Sequence, residues 1–208
     1  MKAAKRSAPA DATSSRERLL AAAKRLMGES GYERVSTAGI AREAGSSESQ
    51  LLRYFGSKAG LLEAVFDQGW APLNPQIAQL VAAAPTAREA MVTVLGMMIG
   101  AFERDPGLAK LFLFEGRRRR GEPAEVLITQ GFKSFSRLMI SLVERGQKDG
   151  TFNTTLKPQA IASSLLGSAE GMLRDRVAAA QDNKPLPFSE SHARAVFGAL
   201  ISGLEPKR

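Results

Sequence analysis

A chain of 208 residues, 44% hydrophobic and 24% charged, is long enough for one or two domains with a buried core. Its 29 Lys/Arg against 21 Asp/Glu give a net charge of +8 and a pI near 10.1, which suits a polyanionic partner. The lack of cysteine excludes a disulfide framework, a thiolate nucleophile and a Cys-based metal site, and no apolar run reaches the ~18 residues of a membrane helix.

Residues 1–14 read as a mobile basic arm. The segment has no apolar h-region of a secretory signal, so the cytoplasm is the expected compartment and no membrane is expected as a partner. Ser14 or Ser15 can cap a helix that runs to about Glu29, with Leu19, Ala23, Leu26 and Met27 along one face and Gly31 as its stop. Ser36 is the expected cap of a second helix, whose apolar stripe is Ile40, Ala41 and Ala44. Gly45 then breaks it, because a residue without Cβ takes a positive φ at no steric cost. A third, short helix follows. It carries Leu51 and Phe55 on one face, and Ser47, Glu48, Ser49, Gln50 and Arg53 largely on the others. Two such helices across a 3–4-residue turn form a helix-turn-helix, and the second fits the DNA major groove.

Gly56-Ser57 ends that helix and caps the next, with Lys58 in its first turn. Leu61, Leu62, Val65, Phe66 and Trp70 follow, and Pro72 is expected to stop the helix. Asn74 to Ala84 is a weaker apolar stretch. Thr86 opens a helix with Met91, Leu95, Met98 and Phe102 in phase, and Asp105-Pro106 starts a short one that ends at Gly116. Arg117 to Arg120 reads as a solvated connection, with a nucleic-acid patch as the alternative. Glu122-Pro123 is expected to begin a long helix to about Lys148, with Ile128, Phe132, Phe135, Met139, Leu142 and Val143 on a 3.6-residue period.

Two further helices are expected from about Pro158 to Ala179 and from Ser189 to about Gly203. Gly167, Ser168, Gly171, Gly198 and Ser202 are costly inside helices unless close approach repays them. These helices suit a four-helix homodimer interface, with Leu165, Met172, Val196, Phe197, Leu200, Ile201 and Leu204 as its candidates; intrachain packing is the alternative. Met97, Met98, Phe102, Phe112, Phe135, Met139 and Met172 are candidates for lining a small-molecule pocket, since Met and aromatic side chains make adaptable walls; plain core is the alternative.

Phosphate contacts supply most of the affinity for a duplex, and base edges supply specificity. Thr37, Tyr54 and Lys58 are the candidates for phosphate. Gln50 and Arg53 are the candidates for adenine and guanine, with Ser47 and Ser49 as short donors. Glu48 has two open roles, accepting from cytosine N4 or facing solvent. Arg16 and Arg18 either meet phosphates or form a solvated face. The charge agrees: residues 1–60 hold 11 Lys/Arg against 6 Asp/Glu, and the other 148 hold 18 against 15.

SRERLLAAAKRLMGESGYERVS, then STAGIAREAGSSESQLLRYFGSK, then YFGSKAGLLEAVF, about Ser15 to Phe66, resembles the DNA-binding domain of the TetR family of bacterial transcriptional regulators. The matching pieces are GY, IAREAG, YF, SK and LL, in order and at matching spacing. The resemblance implies the same reading helix, with Thr37, Tyr54 and Lys58 as backbone contacts, and an all-helical C-terminal domain that dimerises and usually binds a small effector. Three positions depart from the family pattern: Ser46 replaces an apolar residue that locks the turn, Leu52 replaces a frequent tyrosine, and Glu48 stands where polar or basic residues are usual.

The expectation is therefore an all-α protein of about nine helices: an arm (1–14), a three-helix helix-turn-helix domain (15–60), and a helical effector-binding and dimerisation domain (61–208). Its expected function is a ligand-responsive regulator, a repressor that binds a near-palindromic operator on double-stranded DNA as a homodimer and is released by a small apolar or aromatic effector. The alternative is a small-molecule-binding or carrier protein whose helix-turn-helix no longer reads DNA. With one histidine, His192, and no HExxH, Walker, dinucleotide or GxSxG motif, no catalytic residue, metal or cofactor is expected.

Overall fold

Caps and glycines written into the sequence set the helix boundaries in the computed structural model, which describes residues 14–115, 119–120, 125–126 and 129–206. The expectations for residues 1–13, Arg117, Arg118, Glu122, Pro123 and Ile128 lie outside the described residues. The described residues form nine helices, and the chain divides into two units, one ending at Val65 and one beginning at Phe66.

In the first unit, α1 (Ser15–Ser30) starts from a capping box: Glu17 N–H donates to Ser14 Oγ at 3.2 Å, and Ser14 N–H donates to Glu17 Oε2 at 2.8 Å. Gly31, at φ +82°, ends it. Ser36 caps α2 (Thr37–Glu43) by accepting from Gly39 N–H at 3.0 Å, and Ser47 caps α3 (Glu48–Phe55) by accepting from Gln50 N–H at 3.2 Å. Leu19, Leu20, Ala23, Met27, Ile40, Ala41 and Leu51 are buried, so each helix gives its apolar stripe to one core.

The long helix α4 (Lys58–Ala83) does not stop at Pro72. It passes through Pro72 and Pro75, although an interior proline costs about 3 kcal/mol. Two features hold the continuation. Trp70 and Ile77 are buried on either side of the prolines, and Arg145 satisfies carbonyls at the far end, donating to Val81 O at 3.0 Å and Ala84 O at 2.7 Å. The division between the units falls within this helix, after Val65, and Leu61, Leu62 and Val65 are buried.

The second unit continues with α5 (Ala87–Arg104), α6 (Pro106–Glu115), α7 (Gln130–Lys148), α8 (Pro158–Gln181) and α9 (Glu190–Ser202). Here α5 packs on α6, α7 and α9, and α8 packs on α6, α7 and α9. The long helix expected from Glu122 begins instead at Gln130. Thr129 is fully buried and its hydroxyl accepts from Phe132 N–H at 3.3 Å, while β1 (Arg119–Arg120) pairs antiparallel with β2 (Glu125–Val126). Among the described residues no helix is long and apolar enough to cross a membrane.

Trp70 organises this unit. Its ring centroid lies 5.1 Å from Phe135, 5.8 Å from Phe112 and 6.4 Å from Phe132, joining α4, α6 and α7. Gly131 allows the approach, since a Cβ there would lie 2.3 Å from Trp70 Cδ1 and 2.7 Å from its Cβ. Gly131→Ala should therefore destabilise the protein by about 1–3 kcal/mol, read as a lowered thermal midpoint. An unchanged midpoint would mean that Trp70 repacks freely.

Candidate DNA-reading head and effector cavity

The turn between α2 and α3 is fixed by backbone. Gly45, at φ +59°, donates to Arg42 O at 3.1 Å, and Ser46 N–H donates to Ala41 O at 2.9 Å. From α1, Arg18 Nε donates to Ala44 O at 3.1 Å, so this arginine braces the turn. Arg16 lies over the Phe55 ring at 5.4 Å. Leu51 is fully buried and anchors α3, while Ser47, Glu48, Ser49, Leu52, Arg53 and Tyr54 remain exposed on it.

Several of the candidate contact groups already hold one another. The Thr37 hydroxyl donates to Glu48 Oε1, across the turn from α2 to the first residue of α3. Ser46 Oγ donates to Gln50 Oε1 at 2.7 Å, which leaves the Gln50 amide N–H groups to donate to a base acceptor. Arg53 stands over the Tyr54 ring at 5.4 Å. Lys58 lies 4.3 Å from the Tyr32 ring centroid and donates to Glu33 O at 3.4 Å, in the loop before α2. Ser47 serves as the α3 cap.

In the second unit a cavity of about 350 Å³ opens between α5, α6, α8 and α9. Leu95, Met98 and Phe102 line it from α5, Ala109 from α6, and Met172, Leu173 and Val177 from α8; Leu186 and Phe188 come from the loop before α9, and Phe197 from α9 itself. Among the described residues, Glu103 and Arg176 are the charged ones on its wall. Arg176 Nη2 donates to Glu103 Oε1 at 2.5 Å, and among the described residues Arg176 Nη1 is buried without a hydrogen-bond partner. Beside them Arg194 pairs with Glu190, donating from Nε at 2.8 Å. The Arg194 guanidinium holds the Glu190 carboxyl below the usual carboxylate range, with smaller contributions from Glu103 and Arg176.

A family profile described as bacterial regulatory proteins, tetR family, matches residues 19–65, from α1 into the first turns of α4. The nucleoid occlusion factor SlmA of Vibrio vulnificus (strain YJ016) is 30% identical over 163 residues, which cover 76% of this chain and 80% of that protein. The chain belongs to the TetR family. Among solved structures, the fatty acid degradation regulator FadR from Bacillus halodurans matches with a TM-score of 0.75 at 19% identity, over 89% of this chain and 97% of that one. FadR from Bacillus subtilis, solved in complex with stearoyl-CoA, matches with a TM-score of 0.74 at 16% identity, over 89% of this chain and 96% of that one. At these identities the likeness is one of fold.

In this TetR-family protein the residues expected to line a pocket separate into two groups. Met98, Phe102 and Met172 stand on the cavity wall. Met97 does not. Phe112 and Phe135 belong to the Trp70 cluster, and Met139 is fully buried, because α7 turns its apolar face to the core. Of the expected dimer residues, Leu165, Phe197 and Ile201 are buried in the protomer's own core, whereas Val196 and Leu200 are 47% and 41% exposed. The sequence reading missed Glu103 and Arg176. A signal was present, since Arg176 stands midway between Met172 and Ala180 on one apolar face of α8, where a charge needs a reason.

The Thr37–Glu48 bond generates a prediction. It fixes an exposed carboxylate beside a threonine hydroxyl, across the turn of the head. Glu48→Gln should tighten binding to every duplex roughly fivefold at low salt, the equivalent of about 1 kcal/mol of relieved repulsion. Fluorescence anisotropy with several duplexes would read this, and a loss confined to one operator would instead assign Glu48 to reading a base.

Proposed function

We propose that this protein is a ligand-responsive transcription regulator, a repressor that binds a near-palindromic operator as a homodimer and releases it when a small, mainly apolar effector fills the cavity. The observation that carries the reading is the pairing, in one chain, of a fully capped helix-turn-helix with a separate apolar cavity. A ligand that favours the conformation with lower DNA affinity shifts the population away from the operator. The complex of a structural neighbour with stearoyl-CoA supports a ligand-binding role for the second unit. In the head, Lys58, Tyr54 and Thr37 serve phosphates, and Gln50 and Arg53 face bases, with Ser47 and Ser49 beside them.

The homodimer is supported by α8 and α9. Val196 and Leu200 expose apolar surface four residues apart, and a Cβ at Gly167 or Gly198 would meet nothing within 4 Å in the protomer. The protomer's own packing therefore gives no reason for glycine at those two positions, and close approach of a second copy does. Leu200→Glu, exposed in the single protomer, should leave the fold intact and convert the dimer to monomer by sedimentation analysis. A dimer unaffected by the change would move the interface elsewhere.

A second reading takes up the name of the Vibrio relative: nucleoid occlusion by the DNA-bound protein. Selection from a pool of random duplexes at two salt concentrations, followed by mapping of the enriched sites, tests both. A two-fold symmetric site near promoters, weakened by salt, supports the regulator; sites dispersed along the chromosome support the second reading. Lys58→Ala should weaken all duplexes alike and lower the salt slope, and Gln50→Ala should relax one base position. Equal, sequence-independent losses from both would remove Gln50 from base reading.

A further inference from the structure

The wall of the cavity carries information about what fills it. Met98, Phe102, Leu173, Val177, Leu186 and Phe188 offer no hydrogen bond, so most of the occupant is hydrocarbon. A volume of about 350 Å³ corresponds to roughly a dozen water-sized volumes of ~30 Å³ each, and so to about as many non-hydrogen atoms. The polar exception is the Arg176–Glu103 pair, whose side chains are 16% and 33% exposed.

Two properties of that pair restrict the ligand. Arg176 is already neutralised by Glu103 at 2.5 Å, and Arg194 and Glu190 beside them form a second neutral pair. An ionic ligand would bring a net charge into an apolar cavity whose described residues hold no free counter-charge, and would have to give up its hydration to enter. A neutral ligand meets neither cost. Arg176 Nη1 is closed to solvent and has no acceptor, which is unfavourable for a charged donor. Because Arg176 stands on the cavity wall, a ligand oxygen there could accept from its guanidinium.

We infer that the effector is a neutral, mainly hydrocarbon molecule of about a dozen non-hydrogen atoms with one carbonyl-type acceptor, bound with that oxygen on Arg176 and its chain along α5 and α8. The inference rests on the reading of the cavity as the effector site. It makes Arg176 a binding residue and Glu103 the residue that keeps the site neutral, so that ketones, esters or lactones are preferred to acids and amines.

The test is calorimetric titration of the full chain with decan-2-one, decanoate and decylammonium at pH 7. Decan-2-one should bind at least tenfold more tightly than either ion. Because Arg176→Met alone strands Glu103, the informative variant is Glu103→Gln/Arg176→Met, which removes both charges together. It should keep the helical circular-dichroism spectrum and lose about tenfold of the ketone affinity. Decanoate binding most tightly, or ketone affinity indifferent to the double variant, overturns the inference. Failure of all three probes to bind overturns it together with the cavity's role as an effector site. DNA binding measured on the same preparation reports separately on the regulator.

Discussion

The indole of Trp70 meets three phenylalanine rings, and Gly131 is the residue that lets it come so close. That contact ties α4, α6 and α7 together in the second unit. Phe112 of α6 and Phe132 and Phe135 of α7 are all gathered on this indole of α4. The cavity lies beside this cluster, between α5, α6, α8 and α9, and its wall residue Phe102 packs on Phe112 with ring centroids 4.9 Å apart. Interiors pack at crystal-like density, so a void of this size survives only where neighbouring helices have already satisfied their apolar faces elsewhere. The same indole, with Ile77 and the Arg145 hydrogen bonds, keeps α4 helical through two prolines.

In the head, rigidity comes from many small polar contacts. Ser14, Ser36 and Ser47 each satisfy a free N–H at a helix start, and Arg18 holds a carbonyl of the turn. The departures from the family pattern belong to this network. Ser46 does not lock the turn by burial; it orients the Gln50 amide. Glu48 reaches back to Thr37. Both add a constraint to the exposed surface around α3: one orients the Gln50 amide, and the other holds a carboxylate beside Thr37.

The cavity follows the opposite rule. Its polar groups are few and paired: Arg176 with Glu103, and Arg194 with Glu190 close by. A buried ion pair is weak evidence for stability, because desolvation offsets much of the attraction. Its value here lies in the neutral field it leaves in an apolar space, with a single donor nitrogen unserved.

What the sequence by itself determined is local and periodic. Serine caps, the glycines at 31, 45 and 56, and the 3.6-residue stripes made the helix-turn-helix legible, because each acts within a few residues of chain. Ordered motifs from Ser15 to Phe66 carried the family. The sequence could not determine which of several equivalent apolar faces would meet. Phe102 and Phe112 are alike as residues, yet one lines the cavity and the other supports Trp70. Phe197 and Leu200 share a helix, yet one is buried and the other exposed. Pro72 read as a stop, and distant burial with a side chain 73 positions later in the chain overrode it. Arg176 and Glu103 are likewise 73 positions apart, so their pairing existed only once α5 and α8 had been brought together. Short-range hydrogen bonds and helical periods can be read along a chain, but the choice among apolar partners is made by packing, which is a property of the whole unit.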